Sequence, residues 1–168
     1  MASPPSDEKK MVRLRSSDGE SFDVLEEHIG AASTVIRGML DDGCADGVIT
    51  LPNVAAPVLS RVLEYVNRHF DPAEAAFAVA FNPSDKDGPL ARFDNEFVSV
   101  PSGTLIDLIN AASYLNIDGL LDLTCEALAN QYIKGKTTEE IRKTFDIVND
   151  YTKEEEQEVR RENSWAFE

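Results

Sequence analysis

The segment MVRLRSSDGESFDV, residues 11–24, alternates apolar and polar side chains on both sides of a Ser-Ser-Asp-Gly cluster. Alternation with a period of two is typical of strands that bury one face. A short cluster of turn-forming residues between two such runs predicts a β-hairpin. The side chains that we expect to face inward are Val12, Leu14, Phe22 and Val24.

Helical spacing replaces this alternation farther along the chain. Residues 33–40 and 56–70 carry apolar side chains at helical intervals, and the second run is the clearest helix in the sequence. Between them, residues 48–51 form a predicted short strand that Pro52 ends. Asn53 is the predicted start signal of the 56–70 helix. The apolar stripe of that helix consists of Val58, Leu59, Val62, Leu63 and Val66.

Two further helices are predicted at residues 102–115 and 119–133, the second with Asp118 as its N-cap. Because only a few residues separate them, we expect the two helices to pack against each other as a pair. The predicted buried face of the first helix consists of Leu105, Ile109 and Ala112, widened by Ile106 and Leu108.

The stretch between the two halves, residues 71–89, is long and irregular for a loop in a compact domain. Its residues 73–81 are unusually apolar. They are either an unconstrained insertion or an additional contact patch.

The tail, residues 134–168, differs in kind from what precedes it. Thr137 with Glu140, and Thr152 with Glu155, have the spacing of capping boxes, which predicts two short helices. Short helices of this sort are not stable alone. The tail therefore either lies back on the main domain or awaits a partner. Its apolar residues, too sparse for a core of their own, are Ile141, Phe145, Ile147, Tyr151, Val159, Trp165 and Phe167.

Composition narrows the function. The 168 residues include 16 basic and 31 acidic side chains, so the net charge of −15 disfavours binding to nucleic acid and to anionic membranes. At 42% apolar, the chain has enough hydrophobic material for one core. Residues 1–10 are predicted to be a disordered leader and not a signal peptide. Two cysteines are too few for a disulfide framework, which favours an intracellular protein.

No motif in the sequence indicates catalysis. His28 and His69 lack an accompanying Ser or Cys nucleophile motif, and we expect both to be structural or exposed. Close carboxylate pairs are expected by chance in so acidic a chain. We therefore predict no catalytic, metal or cofactor site, no cofactor and no small-molecule substrate. The protein is expected to act by contact.

Several ordered motifs carry a family resemblance. They are LRSSDGESF (14–22), LPNV (51–54), AASYLNI (111–117), LLDLTC (120–125), IKGKT (133–137) and RENSW (161–165). Together they resemble the Skp adaptor family (S-phase kinase-associated protein) of Skp-cullin-F-box ubiquitin ligases. The ending WAFE, residues 165–168, resembles plant members.

The resemblance implies an α/β fold of the BTB/POZ type over residues 11–133 and a helical F-box-binding extension over residues 134–168. It also implies a non-catalytic adaptor that bridges a cullin scaffold to F-box proteins in protein ubiquitination and degradation. We expect such a protein in the nucleus and the cytoplasm.

The resemblance assigns site residues as well. Ser113 and Tyr114 match the cullin-binding pair of the family, with Ser113 in place of the usual asparagine. Trp165 is the strongest single candidate for an energetic hot spot. The residues that match the F-box groove are Leu120, Leu123, Leu128, Ile141, Phe145, Ile147, Tyr151 and Trp165.

Two other functions remain open from the sequence. Ser113 suggests an F-box partner or chaperone with weak or no cullin binding, and a self-associating BTB/POZ scaffold is the third hypothesis. Residues 129–133 are also one residue longer than the usual family run. That residue either lies in a loop and leaves the F-box surface intact, or lies in the helix and rotates it by about 100°.

Overall fold

The computed structural model describes residues 9–43, 47–73 and 88–166. Three strands, β1 (Met11–Arg15), β2 (Ser21–Leu25) and β3 (Val48–Thr50), form a sheet in the order β2-β1-β3. β1 pairs antiparallel with β2 and parallel with β3. The predicted hairpin and short strand are confirmed. Val12, Leu14 and Val24 are buried as expected, whereas Phe22 is only partly buried.

Some predictions concern residues that the structure does not describe. Residues 1–8 of the predicted leader, residues 74–81 of the apolar stretch and Phe167 of the tail lie outside the described residues.

The described helices follow in chain order. They are α1 (Glu26–Ala32), α2 (Thr34–Asp41), α3 (Ala56–Phe70), α4 (Pro89–Phe97), α5 (Ser102–Leu115), α6 (Asp118–Leu128), α7 (Thr138–Thr144) and α8 (Lys153–Glu162). A π-helical turn, Ala129–Ile133, follows α6 directly, and a 3₁₀ turn, Ser164–Ala166, follows α8. None of the described helices combines the length and apolar character that a membrane-spanning segment needs.

The start of α3 depends on the hairpin and not on Asn53, so that predicted start signal is wrong. The N-cap position is Ala55, which has no capping side chain. Instead, Asp18 in the hairpin turn accepts a hydrogen bond from the Ala56 N–H at 3.0 Å. The hydroxyl of Ser16 also donates to Asp18, and these contacts lower the pKa of the Asp18 carboxyl. A residue far away in sequence thus caps the clearest helix.

The apolar core lies between the sheet and helices α1, α3, α5 and α6. The α5–α6 pair packs together as predicted, and α3 packs against α1 and α5. On α5, Leu105, Leu108 and Ala112 are buried, but Ile106 is more than a third exposed, so its expected place on the buried face is wrong. At Gly119 of α6, a Cβ atom would stand 2.7 Å from the Tyr65 hydroxyl oxygen, so only glycine fits there without movement of Tyr65.

The described residues divide into two compact units. The N-terminal unit extends to Gln131, and the C-terminal unit begins at Tyr132. Both predicted capping boxes are present in the C-terminal unit. In each box, the hydroxyl of Thr137 or Thr152 accepts a backbone N–H bond while the glutamate three residues later accepts one in return. None of the described residues 132–166 is fully buried.

Candidate partner-binding surfaces

The predicted cullin pair lies in the last turn of α5. Ser113 is exposed and Tyr114 is partly buried. Asn116 adopts a left-handed conformation with φ of 51°, and the N–H of Ile117 donates to the Ala112 carbonyl at 2.9 Å. This bond pattern is the Schellman motif, which ends a helix in a defined geometry. The backbone beneath Ser113 and Tyr114 is therefore fixed.

Ser33 anchors this end of α5 and was not predicted from the sequence. Its hydroxyl is fully buried, donates to the Leu115 carbonyl at 2.6 Å and accepts the Ile36 N–H at 3.1 Å. It caps α2 and ties α2 to α5 at once. The only local signal in the sequence is a serine in front of a helical run, which indicates the cap but not the tie.

Three residues of the predicted F-box set lie on α6 in the N-terminal unit, and their side chains are buried or partly buried. Leu120 has no exposed surface, and Leu123 and Leu128 are partly buried. Leu120 is therefore a core residue of α6. It can serve a partner surface only by supporting its neighbours, whereas Leu123 and Leu128 retain surface for contact.

The rest of the F-box set lies in the C-terminal unit and is more exposed. Ile141 and Phe145 are partly buried. Ile147 and Tyr151 are about half exposed, and Trp165 on the 3₁₀ turn is 78% exposed. Exposing so large an apolar side chain is unfavourable in water, and docking of a partner would remove it from the solvent.

Polar contacts hold α7 and α8 together in the C-terminal unit. Glu156 accepts from Arg142 at 3.4 Å and from Arg160 at 3.5 Å, and Arg160 also lies 3.5 Å from Glu139. The hydrogen bond from Arg142 is the main cause that lowers the pKa of Glu156, and Arg160 adds to it. Each surface ion pair of this kind contributes little to the free energy of folding. The stability of this unit therefore depends on several weak, local interactions.

The π turn covers residues 129–133, the segment that we expect to be one residue longer than the usual family run. A π turn holds one residue more than an α turn, so it can take an extra residue into a helix end. These residues are helical and do not form a loop, so an additional residue here would lie within the helix end. Gln131 in this turn donates from its side-chain amide to the Val98 carbonyl at 3.2 Å, a contact within the N-terminal unit.

The two histidines have structural surroundings. His28 is buried, with Nδ1 3.3 Å from the Asn67 side-chain oxygen. His69 pairs with Asp94 at 2.7 Å and stacks on Tyr65. Burial raises the pKa of Tyr65 to about 12. Both histidines therefore have the structural role that we predicted, and His69 helps to dock α4 on α3.

Comparison with known proteins places this geometry in a family. Two family models match, described as the Skp1 family, tetramerisation domain, over residues 10–71 and the Skp1 family, dimerisation domain, over residues 118–166. The chain is also 53% identical over 161 residues to SKP1-like protein 4 of Arabidopsis thaliana, which covers 95% of this chain and 98% of the relative. The chain belongs to the Skp1 family.

A second Skp1-family relative gives the same result. SKP1-like protein 1 of Oryza sativa subsp. japonica is 54% identical over 172 residues, covering 96% of this chain and 97% of the relative. These findings confirm the resemblance to plant members, the α/β fold of the BTB/POZ type with a helical C-terminal region, and the adaptor role in Skp-cullin-F-box ubiquitin ligases. Skp1-family proteins bind F-box proteins and a cullin in that complex.

Proposed function

We propose that this Skp1-family adaptor holds the cullin through the end of α5 and the F-box motif through α6 and the C-terminal unit. Ser113 and Tyr114 are the proposed cullin contacts. The F-box contacts are Leu123, Leu128, Ile141, Phe145, Ile147, Tyr151 and Trp165, with Leu120 as a supporting core residue. The protein carries out no catalytic step of its own.

The distribution of exposed apolar side chains supports this proposal most strongly. Eight large apolar side chains are exposed among the described residues, and five of them lie in the C-terminal unit: Ile133, Ile147, Val148, Tyr151 and Trp165. This unit contains about a fifth of the chain, so the exposed apolar surface is concentrated and not scattered. Concentrated apolar surface is typical of a protein interface.

The distribution of charge supports binding of partners with basic surfaces. Residues 1–133 contain 9 basic and 21 acidic side chains, and residues 134–168 contain 7 and 10. The strongly acidic N-terminal unit would attract a basic partner surface and speed the encounter at low salt. The same charge disfavours nucleic acid and anionic membranes as partners.

Co-elution tests the adaptor directly. Purified protein is mixed with an F-box segment, with the N-terminal part of a cullin, or with both, and the mixtures are separated by size exclusion. We expect one ternary complex that contains all three proteins. Competition between the cullin and the F-box segment for the same protein would contradict two separate surfaces.

Localisation is a further part of the proposal. An adaptor of ubiquitin ligases meets its substrates in the nucleus and the cytoplasm, and we propose both compartments. A fluorescent fusion imaged in plant cells tests this, and confinement to another organelle would contradict it.

A further inference from the structure

Val148 is the most exposed of the large apolar side chains in the described residues, at 83%. It is not among the residues that the family resemblance assigns to the F-box groove. Two of those assigned residues flank it, since Ile147 is 53% and Tyr151 is 51% exposed. Three exposed apolar side chains therefore occur within five residues of the chain.

The backbone that carries these three side chains is held in place at both ends. Asp146 is left-handed, with φ of 53°, and the Ile147 N–H donates to the Arg142 carbonyl at 2.8 Å, which makes a Schellman motif at the end of α7. The Tyr151 N–H donates to the Asn149 side chain at 3.2 Å, and the capping box of α8 begins at Thr152. Because this backbone is already held in place, a partner that docks here loses little binding free energy to ordering it.

The C-terminal unit itself gains nothing from a valine at position 148. A side chain with most of its surface in water contributes almost no burial to the fold, and a polar residue would serve the loop equally well. The exposed carboxylates Asp146 and Asp150 lie on either side of Ile147 and Val148 in the chain, and Asp150 directly precedes Tyr151. The segment thus combines exposed apolar side chains with negative charge, which fits an apolar side chain next to basic ones.

We propose that Val148 contacts the F-box segment directly and selects segments that place an apolar side chain against it. The inference rests on the proposed function, because Ile147 and Tyr151 belong to the proposed F-box surface and Val148 continues that surface. It goes further by naming a residue that discriminates among F-box segments.

The test compares a variant that makes the Val148 side chain polar at the same shape with a variant that keeps it apolar. Val148→Thr replaces one methyl group with a hydroxyl, Val148→Ile keeps the side chain apolar, and Gln157→Ala on the exposed face of α8 is the control. Affinity for a purified F-box segment that binds the unmodified protein is measured by calorimetry. We expect about fivefold to tenfold weaker binding for Val148→Thr, and binding within about twofold for Val148→Ile and Gln157→Ala.

The outcomes separate this inference from the function on which it rests. If the unmodified protein binds the segment and Val148→Thr binds within twofold of it, the inference is wrong and the adaptor function stands. Equal weakening by Val148→Thr and Val148→Ile would show that binding does not follow the polarity of the side chain and would also overturn the inference. If no F-box segment binds the unmodified protein, both fail. Loss of self-association by Val148→Thr in light scattering, with F-box binding intact, would assign the patch to a second copy instead.

Discussion

The two units of the molecule are built by opposite means. The N-terminal unit surrounds a core in which Leu14, Leu59 and Leu105, among many others, have no exposed surface. The described part of the C-terminal unit has no fully buried side chain and depends on capping boxes, ion pairs and partly buried apolar residues such as Ile141, Phe145 and Val159. Burial of apolar surface is the main source of stability, so we expect the first unit to be stable by itself and the second to gain stability from a bound partner.

The largest expected effect lies in the core of the first unit. Leu120→Ala removes a fully buried side chain from α6, and the loss of transfer energy together with the cavity should cost about 3 kcal/mol of unfolding free energy. Denaturant unfolding measures it. Cys125→Ala on the exposed side of the same helix is the control, with less than about 0.5 kcal/mol expected. Equal effects of the two variants would mean that Leu120 is not the core residue described here.

Trp165→Ala in the second unit should weaken binding and leave stability almost unchanged. The side chain is 78% exposed, so the melting temperature should scarcely change, while binding of an F-box segment weakens by at least about 2 kcal/mol. Calorimetry with the F-box segment and with the cullin distinguishes the two partners. Equal losses for both partners would indicate a folding defect and contradict a separate F-box surface.

Ser33→Ala tests whether a single hydroxyl supports the end of α5. The variant loses the cap of α2 and leaves the Leu115 carbonyl without its buried donor, which should cost about 1.5 kcal/mol of unfolding free energy. Ser113→Ala, which changes an exposed serine in the neighbouring turn, is the matched control and should be nearly neutral. A neutral Ser33→Ala would contradict the tie between the two helices.

Acid should weaken the second unit by a small amount before it affects the first. The Thr137 N–H lowers the pKa of Glu140, and the Thr152 N–H lowers that of Glu155. Because the folded-state pKa is lowered, this stabilisation is complete above the ordinary value of 4.5 and is lost as the pH falls through the folded-state pKa. Amide protection factors of α7 and α8 should fall below pH 4.5. The double variant Glu140→Gln, Glu155→Gln, which removes both titrating carboxylates, should lack this pH dependence.

Local patterns in the sequence predicted a large part of the fold. The period of two in β1 and β2, the stripe of α3 and the Thr-to-Glu spacing of the capping boxes each lie within one segment, so neighbouring residues suffice to predict them. Helix α1 was missed because its buried residues, His28, Ile29, Gly30 and Ala32, form no conventional apolar stripe.

The failures share a physical cause, which is contact across long sequence separations. Asp18 caps α3 from 38 residues away, and Ser33 reaches Leu115 across 82 residues. For the candidate sites, the family resemblance placed Leu120 and Trp165 in one set, although one is buried in the core and the other is 78% exposed. Periodicity locates an apolar face, but only packing decides whether the protein or its partner covers it.

The π turn at Ala129–Ile133 has a consequence for how the chain can change over evolutionary time. An insertion in the middle of an α-helix normally shifts the phase of every later residue and is therefore rarely accepted. A π turn at a helix end can take in one residue more than an α turn, and no helix follows Ile133 until α7 begins at Thr138. We therefore expect that insertion or deletion of one residue within Ala129–Ile133 would leave the buried face of α6 in register.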